Sequence, residues 1–246
     1  MKSWSPLPLL LCLTLLTSGA VAQTAPTPVN RPIGTIIFED DFNRSESQED
    51  KDEPGKGWRT NSERRAKGNK QVDLRDGALH IYIHEEADHG VSVVHDAEFT
   101  DGAVELRFKL EAKGDSLGLN FADLKYKGVH AGHLFAARIH PNRVLLQDLK
   151  TGRMAKETHA LNKAKKLTAE QKKALKSKEK EFPNKLELGK WYQLRADVDG
   201  ATLRVEIDGK EIGSFTSEGI AHPTKRTLRL AVPKNAIVDD VKIYRK

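Results

Sequence analysis

Apolar and polar residues alternate with a period of two along most of the chain from Gln71 onward. The alternation is clearest in 79–84, 104–110, 117–121 and 202–207, where every second residue is apolar. A strand with this pattern buries one face in a core and turns the other face to water or to a ligand. Asp-Gly pairs between such segments are typical of hairpin turns. The sequence therefore predicts an all-β protein, built as an antiparallel β-sandwich.

One polar segment interrupts the alternating pattern. Thr168 stands three residues before Gln171, as in a capping box, and the residues that follow are strong helix formers. We therefore expect a helix over 168–181. It would be the central part of a lysine-rich helical insertion that spans about 156–187.

The first 34 residues have the features of a processed segment and a linker. A basic start precedes an apolar stretch at 7–16, and Ala20-Val21-Ala22 fits a signal peptidase site. The apolar stretch is too short to cross a membrane, and no later segment approaches ~20 apolar residues. We expect a signal peptide at 1–22, a proline-containing linker at 23–34 and one sandwich domain at 35–246. The protein is then secreted or periplasmic.

Positive charge is concentrated in one segment. Residues 156–190 contain eleven lysines against five glutamates, and this surplus equals the formal charge of the whole chain, +6. The remaining sequence has no basic surplus of the kind that nucleic acid binding needs, so we expect no nucleic acid partner. The lysines have two interpretations: a solvated helix face, or electrostatic attachment to an anionic surface of the cell envelope. Because Cys12 is the single cysteine and lies in the predicted leader, we expect no disulfide.

Polar positions of the predicted strands supply candidate binding groups. His80 and Tyr82 share one face of a strand at a spacing of about 7 Å. They are either water-facing positions or part of a sugar-binding face, where tyrosine stacks on a ring and histidine donates hydrogen bonds. His130 and His133 have a spacing that can chelate a metal, although this pair alone is weak evidence.

Several short motifs resemble one superfamily. The segments FEDDFN at 38–43 and IVDDVKIY at 237–244 resemble the first and last strands of concanavalin A-like lectin/glucanase sandwiches, which include family 16 glycoside hydrolases. DSLGLN at 115–120 and GIAHPTK at 219–225 are similar to segments of the 3-keto-disaccharide hydrolase family, which is frequent among exported bacterial proteins. The resemblance implies a jelly-roll sandwich and a carbohydrate, an oligo- or polysaccharide, as the partner.

The chemistry of these families separates the candidate residues. A retaining family 16 hydrolase needs two carboxyl groups about 5–5.5 Å apart. Glu105 and Glu111 are six residues apart on one predicted strand, which is roughly 20 Å, so they do not form such a site. The 3-keto-sugar chemistry instead needs a base beside the ketone and groups that stabilise an oxyanion. The candidate catalytic residues are Glu105 and His133, and the candidate substrate-binding residues are His80, Tyr82, Arg107, Asn120, Arg138 and Gln147.

The resemblance also bears on metals. Asp239 falls where related hydrolases use an aspartate of the last strand for a structural calcium ion, so Asp239 is the candidate metal ligand. No obligatory cofactor is expected. Three functions stay open: a hydrolase or lyase of 3-keto-glycosides, a non-catalytic glycan-binding module, and a cell-envelope interaction module that uses the lysines of 156–190.

Overall fold

The computed structural model describes Met1 and residues 34–246. The predicted signal peptide at 1–22 and linker at 23–34 therefore lie outside the described residues, apart from Met1 and Gly34. The strands of the described part are β1 Thr35–Asp40, β2 Arg59–Thr60, β3 Val72–Arg75, β4 Ala78–Tyr82, β5 Val91–Phe99, β6 Gly102–Lys109, β7 Leu117–Ala122, β8 His133–His140, β9 Arg143–Asp148, β10 Glu179–Pro183, β11 Trp191–Asp199, β12 Thr202–Ile207, β13 Lys210–Thr216, β14 Lys225–Val232 and β15 Asn235–Arg245. The helices are α1 Ser62–Arg65, α2 Lys156–Lys163 and α3 Ala169–Lys176, with a short 3-10 helix at His130–Gly132.

These strands form two antiparallel sheets. The eight-stranded sheet has the order β13-β12-β11-β6-β15-β4-β3, and β1 also pairs with β15. The seven-stranded sheet has the order β10-β9-β8-β7-β14-β5-β2. The antiparallel sandwich predicted from the alternating pattern is therefore confirmed. Among the described residues, no helix is long and apolar enough to cross a membrane.

The core lies between the two sheets and contains the apolar half of each alternating strand. The eight-stranded sheet contributes Leu106 and Phe108 of β6 to the core, and the seven-stranded sheet contributes Leu119 and Phe121 of β7. All four side chains are fully buried. The ring of Phe121 stacks on that of Phe135, with centroids 4.7 Å apart. Since alternate residues of a strand point to opposite faces, the intervening polar residues lie on the outer face of each sheet.

The insertion contains two short helices and a strand. Thr168 Oγ1 accepts a hydrogen bond from the backbone N–H of Gln171 at 3.2 Å, and Gln171 Oε1 accepts one from the N–H of Thr168 at 2.9 Å, so the capping box is confirmed. The predicted helix over 168–181 is wrong beyond Lys176, because the edge strand β10 follows and pairs with β9. The strand is favoured because Phe182 packs against the core while its charged neighbours face outward.

One lysine is buried in the sandwich. Lys225 is 1% exposed, and its Nζ donates a hydrogen bond to the backbone oxygen of Thr100 at 2.6 Å. The same ammonium lies 5.7 Å from the centroid of the Phe135 ring. Burial disfavours the charged form and lowers the pKa of Lys225 to about 8. The folded protein therefore releases this proton at a lower pH than the unfolded chain does.

This pKa predicts a pH-dependent stability. Between about pH 8 and the ordinary lysine pKa of 10.5, the unfolded chain binds a proton at Lys225 that the folded protein lacks. The free energy of unfolding should therefore rise as the pH is raised from about 7 to about 9.5. Lys225→Met should remove this contribution, whereas Lys210→Met, at an exposed position, should keep it. Urea unfolding of the three proteins at both pH values measures the change. An equal rise in Lys225→Met and the wild type would contradict the prediction.

Candidate functional site

A row of side chains crosses the outer face of the seven-stranded sheet. Asn120 of β7 lies opposite Arg229 of β14 on one side and Ala136 of β8 on the other. Ala136 lies opposite Gln147 of β9, and Gln147 lies opposite Glu179 of β10. Directly opposed residues of neighbouring strands point to the same side of a sheet. The residues next to Asn120 and Arg229 along their strands belong to the core, so the row lies on the outer face.

A second row beside it contains small residues and one arginine. Gly118 of β7 lies opposite Ala231 of β14 and Arg138 of β8. A Cβ added at Gly118 would lie 3.3 Å from the Cβ of Ala231 and 3.8 Å from the Cγ of Arg138. Gly118 is buried and Ala231 is half-buried, so the stem of the Arg138 side chain packs beside this row of small residues.

His133 lies at the start of β8, next to the first row. Its Nδ1 is 3.0 Å from Asn120 Oδ1, and Nη1 of Arg229 lies within 3.4 Å of both ring nitrogens. In the tautomer that donates from Nδ1 to the amide oxygen of Asn120, the Nε2 of His133 is the unprotonated nitrogen and can accept from Arg229. Burial, and next the positive charge of Arg229, lower the pKa of His133 to about 3. The imidazole is therefore neutral at ordinary pH.

The loop before β8 holds these groups in place. Ala131 has a φ of 49° and Gly132 a φ of 72°, so both adopt the left-handed region. The carbonyl oxygen of Ala131 accepts a hydrogen bond from Arg229 Nη2 at 2.7 Å. The ring of His130 in the same loop stacks on His159 of α2, with centroids 3.9 Å apart. The insertion therefore packs directly onto the site.

Besides burial, the positive charges of Arg229, Arg138 and Arg153 lower the pKa of the His133 ring. These three arginines have few acidic partners. Arg153 Nη2 donates to Gln147 Oε1 at 3.2 Å, and Gln147 Nε2 donates to Glu179 Oε2 at 2.8 Å. The Nε of Arg138 is buried without a hydrogen-bond partner among the described residues, and Glu179 is the carboxylate whose charge acts on this guanidinium. Burial lowers the pKa of Arg138. We call this group the sheet-face cluster; its members are Asn120, His133, Arg138, Gln147, Arg153, Glu179 and Arg229.

A cleft opens where the sheet-face cluster meets the insertion. Its volume is about 220 Å³. The sheet side of the cleft includes Gln147, Arg153 and Glu179, and the insertion side includes Lys172 and Lys176 of α3. The predicted lysine-rich insertion therefore contributes a wall of the same site.

The residues predicted from sequence divide between the two outer faces of the sandwich. Asn120, His133, Arg138 and Gln147 are brought together on the seven-stranded sheet. His80, Tyr82, Glu105 and Arg107 lie on the eight-stranded sheet, and their strand neighbours belong to the core. The core therefore separates Glu105 from His133, and the two do not form one catalytic pair. Alternation predicted the face of each strand on which these residues lie, but it did not predict which sheet each strand joins.

On the eight-stranded sheet, the predicted groups are held by other side chains. Glu105 forms an ion pair with Arg195 and accepts a hydrogen bond from the hydroxyl of Tyr244 at 2.9 Å. The guanidinium of Arg107 lies 4.8 Å from the centroid of the Trp191 ring. These contacts give the residues structural partners on the side of the sandwich away from the cleft.

Asp239 also has a cationic partner. Its Oδ2 lies 3.1 Å from Nη1 of Arg107. Within residues 34–246, no three side chains of the His, Cys, Asp and Glu types converge as a metal ligand set would. A carboxylate paired with a guanidinium does not fit the role of a calcium ligand. No chemistry is assigned to calcium, which stays a prediction from the resemblance.

Comparison with known proteins shows the family. A family model described as the 3-keto-alpha-glucoside-1,2-lyase-like domain matches residues 42–241. The chain belongs to this family. The family resemblance predicted from short motifs is thereby confirmed. No curated protein matches the chain in sequence.

Solved structures share the sandwich of this lyase-like domain at low sequence identity. A non-specific endo-beta-1,3(4)-glucanase from family GH16 gives a TM-score of 0.57 at 15% identity, covering 88% of this chain and 93% of that one. The laminarinase from Rhodothermus marinus gives 0.57 at 13% identity, covering 86% and 97%. The carbohydrate binding module CBM66 from Bacillus subtilis gives 0.51 at 11% identity, covering 76% and 95%. The concanavalin A-like jelly roll is confirmed, and the lyase-like family is a carbohydrate-active β-sandwich family.

Sequence reasoning missed three members of the sheet-face cluster: Arg153, Glu179 and Arg229. Arg229 had a signal, because it stands between Leu228 and Leu230 in an alternating segment and must face outward. Glu179 fell within the predicted helix, and Arg153 lies in a turn-rich stretch with no period to place it. Glu179 and Arg229 thus reach the site through strand pairing distant in sequence, and Arg153 through a turn without a period.

Proposed function

We propose that the protein is a lyase of 3-keto-α-glucosides that acts at the sheet-face cluster. The observation that carries the proposal is a half-buried, neutral imidazole, His133, next to the guanidinium groups of Arg229, Arg138 and Arg153, with the Nε of Arg138 buried without a hydrogen-bond partner in the described part of the chain. A base next to positive charge suits the removal of a proton beside a ketone. The match to the lyase-like family supports the same reaction class.

The proposed reaction is an elimination in two steps. In the first, Nε2 of His133 takes the proton from C2, which lies between the ketone at C3 and the anomeric carbon. The electrons of the C–H bond pass to the ketone oxygen as an enolate. In the second step, the enolate returns its electrons, a C1–C2 double bond forms, and the C1–O bond to the leaving group breaks. The leaving oxygen takes a proton from the His133 imidazolium or from water.

The charges around His133 favour this sequence of steps. With a pKa of about 3, His133 is a somewhat weaker base than an ordinary aspartate, whose pKa is about 3.9. The positive charge of Arg229 that lowers this pKa would be offset by the negative charge that develops on the enolate. Arg138 and Arg229 are the groups that would stabilise that oxygen. Protonation of His133 and formation of the enolate are therefore mutually favourable.

A second candidate function is non-catalytic saccharide binding. Asn120 and Gln147 are buried and hydrogen-bonded to His133 and Glu179. The half-buried guanidinium groups of Arg138 and Arg229 are therefore the donors that this face of the sheet would offer to sugar hydroxyls. The structural likeness to a carbohydrate binding module shows only that this fold is shared with such a module. For either function, we propose that the protein acts outside the cytoplasm, as the predicted signal peptide at 1–22 implies.

A substrate comparison distinguishes the two functions. The purified protein would be incubated with 3-keto-α-glucosides and with the parent α-glucosides, and the products followed by mass spectrometry. We expect an unsaturated 3-keto sugar from the keto substrates and no product from the parents, whose C2–H bond is not activated. Saturable binding with no product would reject the lyase in favour of the binding module. Cleavage of the parent glucosides would also contradict the proposal, because it needs no ketone.

A further inference from the structure

We infer that the sheet-face cluster and the adjoining cleft take an acidic saccharide, one that carries a carboxylate, phosphate or sulfate group. The inference rests on the proposed function only in placing a sugar at this site. It adds that the ligand is negatively charged. The elimination proposed above does not require a charged substrate.

Counting charges around the site gives a surplus of cations. The cationic groups are Arg138, Arg153, Arg229, Lys172, Lys176 and Lys178, and Lys178 forms an ion pair with Glu218 at 3.1 Å. The acidic groups among the residues that line the cleft are Glu179 and Asp148. Oδ2 of Asp148 already accepts hydrogen bonds from the hydroxyls of Thr151 and Ser217, both at 2.6 Å. These donors are neutral, so Asp148 keeps its charge, and two carboxylates, Glu179 and Asp148, face the five cations that have no ion pair within residues 34–246.

Several arginines elsewhere on the two sheets have acidic partners. On the eight-stranded sheet, Arg107 pairs with Asp239 and Arg195 pairs with Glu105. On the seven-stranded sheet itself, Arg143 has Glu181 at 3.3 Å. The absence of a direct carboxylate partner at Arg138, Arg153 and Arg229, among the described residues, is thus a local property of the site.

Arg138 makes the strongest demand for an anion. Its Nε is buried without a hydrogen-bond partner, and the charge of the nearby Arg153 disfavours the guanidinium, while that of Glu179 favours it. Arg153 also has a buried Nε without a partner. Burying a guanidinium beside another one is costly unless an anion balances it. A carboxylate, phosphate or sulfate group is the planar or branched oxyanion that a guanidinium binds through two hydrogen bonds.

The insertion extends this cationic surface across the cleft. Lys172 and Lys176 lie one helical turn apart on α3 and line the cleft opposite Arg153. The stack of His159 on His130 fixes α2 against the loop before β8. Because Lys172 and Lys176 line the cleft, they raise the positive electrostatic potential at the proposed saccharide site. Attachment of the same segment to an anionic envelope surface stays a separate prediction.

Matched pairs of ligands test the inference by calorimetry with the full chain. The pairs are methyl α-glucuronide against methyl α-glucoside, and glucose 6-phosphate against glucose. We expect each acidic member to bind at least about 10-fold more tightly, with the difference shrinking as the salt concentration is raised. The pair with the larger difference identifies the preferred anion. Equal affinities within both pairs would overturn the inference.

Two arginine variants and two free anions complete the test. Arg138→Gln should weaken the acidic ligand by about 10-fold and the neutral one by less than about 2-fold. Arg75→Gln, at an exposed position on β3, should change neither. An equal loss of both ligands in Arg138→Gln would overturn the inference, since the arginine would then serve only structure or general sugar binding. Inorganic phosphate or sulfate that binds as tightly as the sugar anions would also overturn it.

This test is separate from the test of the lyase. Turnover of neutral 3-keto-glucosides without any preference for acidic ligands would overturn the acidic-saccharide inference alone. Selective binding of acidic sugars without any elimination product would overturn the lyase alone.

Discussion

Replacing His133 with glutamine is expected to lower kcat for a 3-keto-α-glucoside by at least about 100-fold. Glutamine keeps much of the size and polarity of the imidazole, and its amide can still bond to Asn120, but it cannot take a proton from C2. The protein should remain folded, because the site lies on the outer face of the sheet and the core is unchanged. The measurement is the initial rate of formation of the unsaturated product by the variant and the wild type.

The control for this variant is His84→Gln. His84 follows β4 of the eight-stranded sheet, and its ring nitrogen accepts a hydrogen bond from the backbone N–H of Glu86. This change should leave kcat within about 2-fold of the wild type, because surface substitutions away from a site have small effects. A His133→Gln variant as active as the control would exclude His133 as the base.

The pH profile gives a second measurement on the same residue. A base with a pKa of about 3 is fully unprotonated from about pH 5 to about pH 8. The kcat/KM of the wild type should therefore be flat over this range, whereas a histidine with an ordinary pKa would lose activity below about pH 6.5. A fall in the wild-type kcat/KM below about pH 6.5 that is absent from a His133 variant would contradict the described environment of the ring.

Phe121→Ala is expected to lower the free energy of unfolding by about 3–5 kcal/mol. Phe121 is fully buried in β7, stacks on Phe135 and meets the edge of Phe99 at a centroid distance of 6.1 Å. Removing the ring loses its burial and leaves a cavity between the sheets, which close packing prevents from collapsing fully. Urea unfolding measures the loss.

Leu124→Ala provides the comparison for this core variant. Leu124 follows β7 in sequence but is 51% exposed. Its replacement should change the free energy of unfolding by less than about 0.5 kcal/mol. A loss at Phe121 no larger than that at Leu124 would mean that the contact between β7 and β8 does not stabilise the sandwich as described.

The sequence was sufficient for the fold because the period of two is a local property. Each segment such as 104–110 shows which of its residues are buried, whatever strand lies beside it. The capping box at Thr168 was equally local, and it was confirmed. The end of the helix after Lys176 was not predicted, because the strand β10 exists only by pairing with β9. That pairing is a long-range contact which no local pattern reveals.

The candidate site could be predicted only in part for the same reason. The predicted residues Asn120, His133, Arg138 and Gln147 are neighbours in the structure, and their strands follow one another in the chain. Arg229 comes from β14, which is distant in sequence and enters the sheet between β7 and β5. Glu105 and His133 are both candidate catalytic residues from the sequence, but they lie on different sheets. The sheet that receives β6 is determined by pairing with β11 and β15, which the local sequence does not encode.

The strand order also has a consequence for how the domain is synthesised. β14 and β15 come last among the described strands, yet each lies in the interior of its sheet, between partners that precede it by more than 100 residues. Neither sheet can close around its core until these strands have left the ribosome, so the nascent chain stays open until then. Folding that depends on such distant pairings is slow. A chain of this topology therefore stays unfolded during its synthesis, and an unfolded chain can pass through a narrow channel.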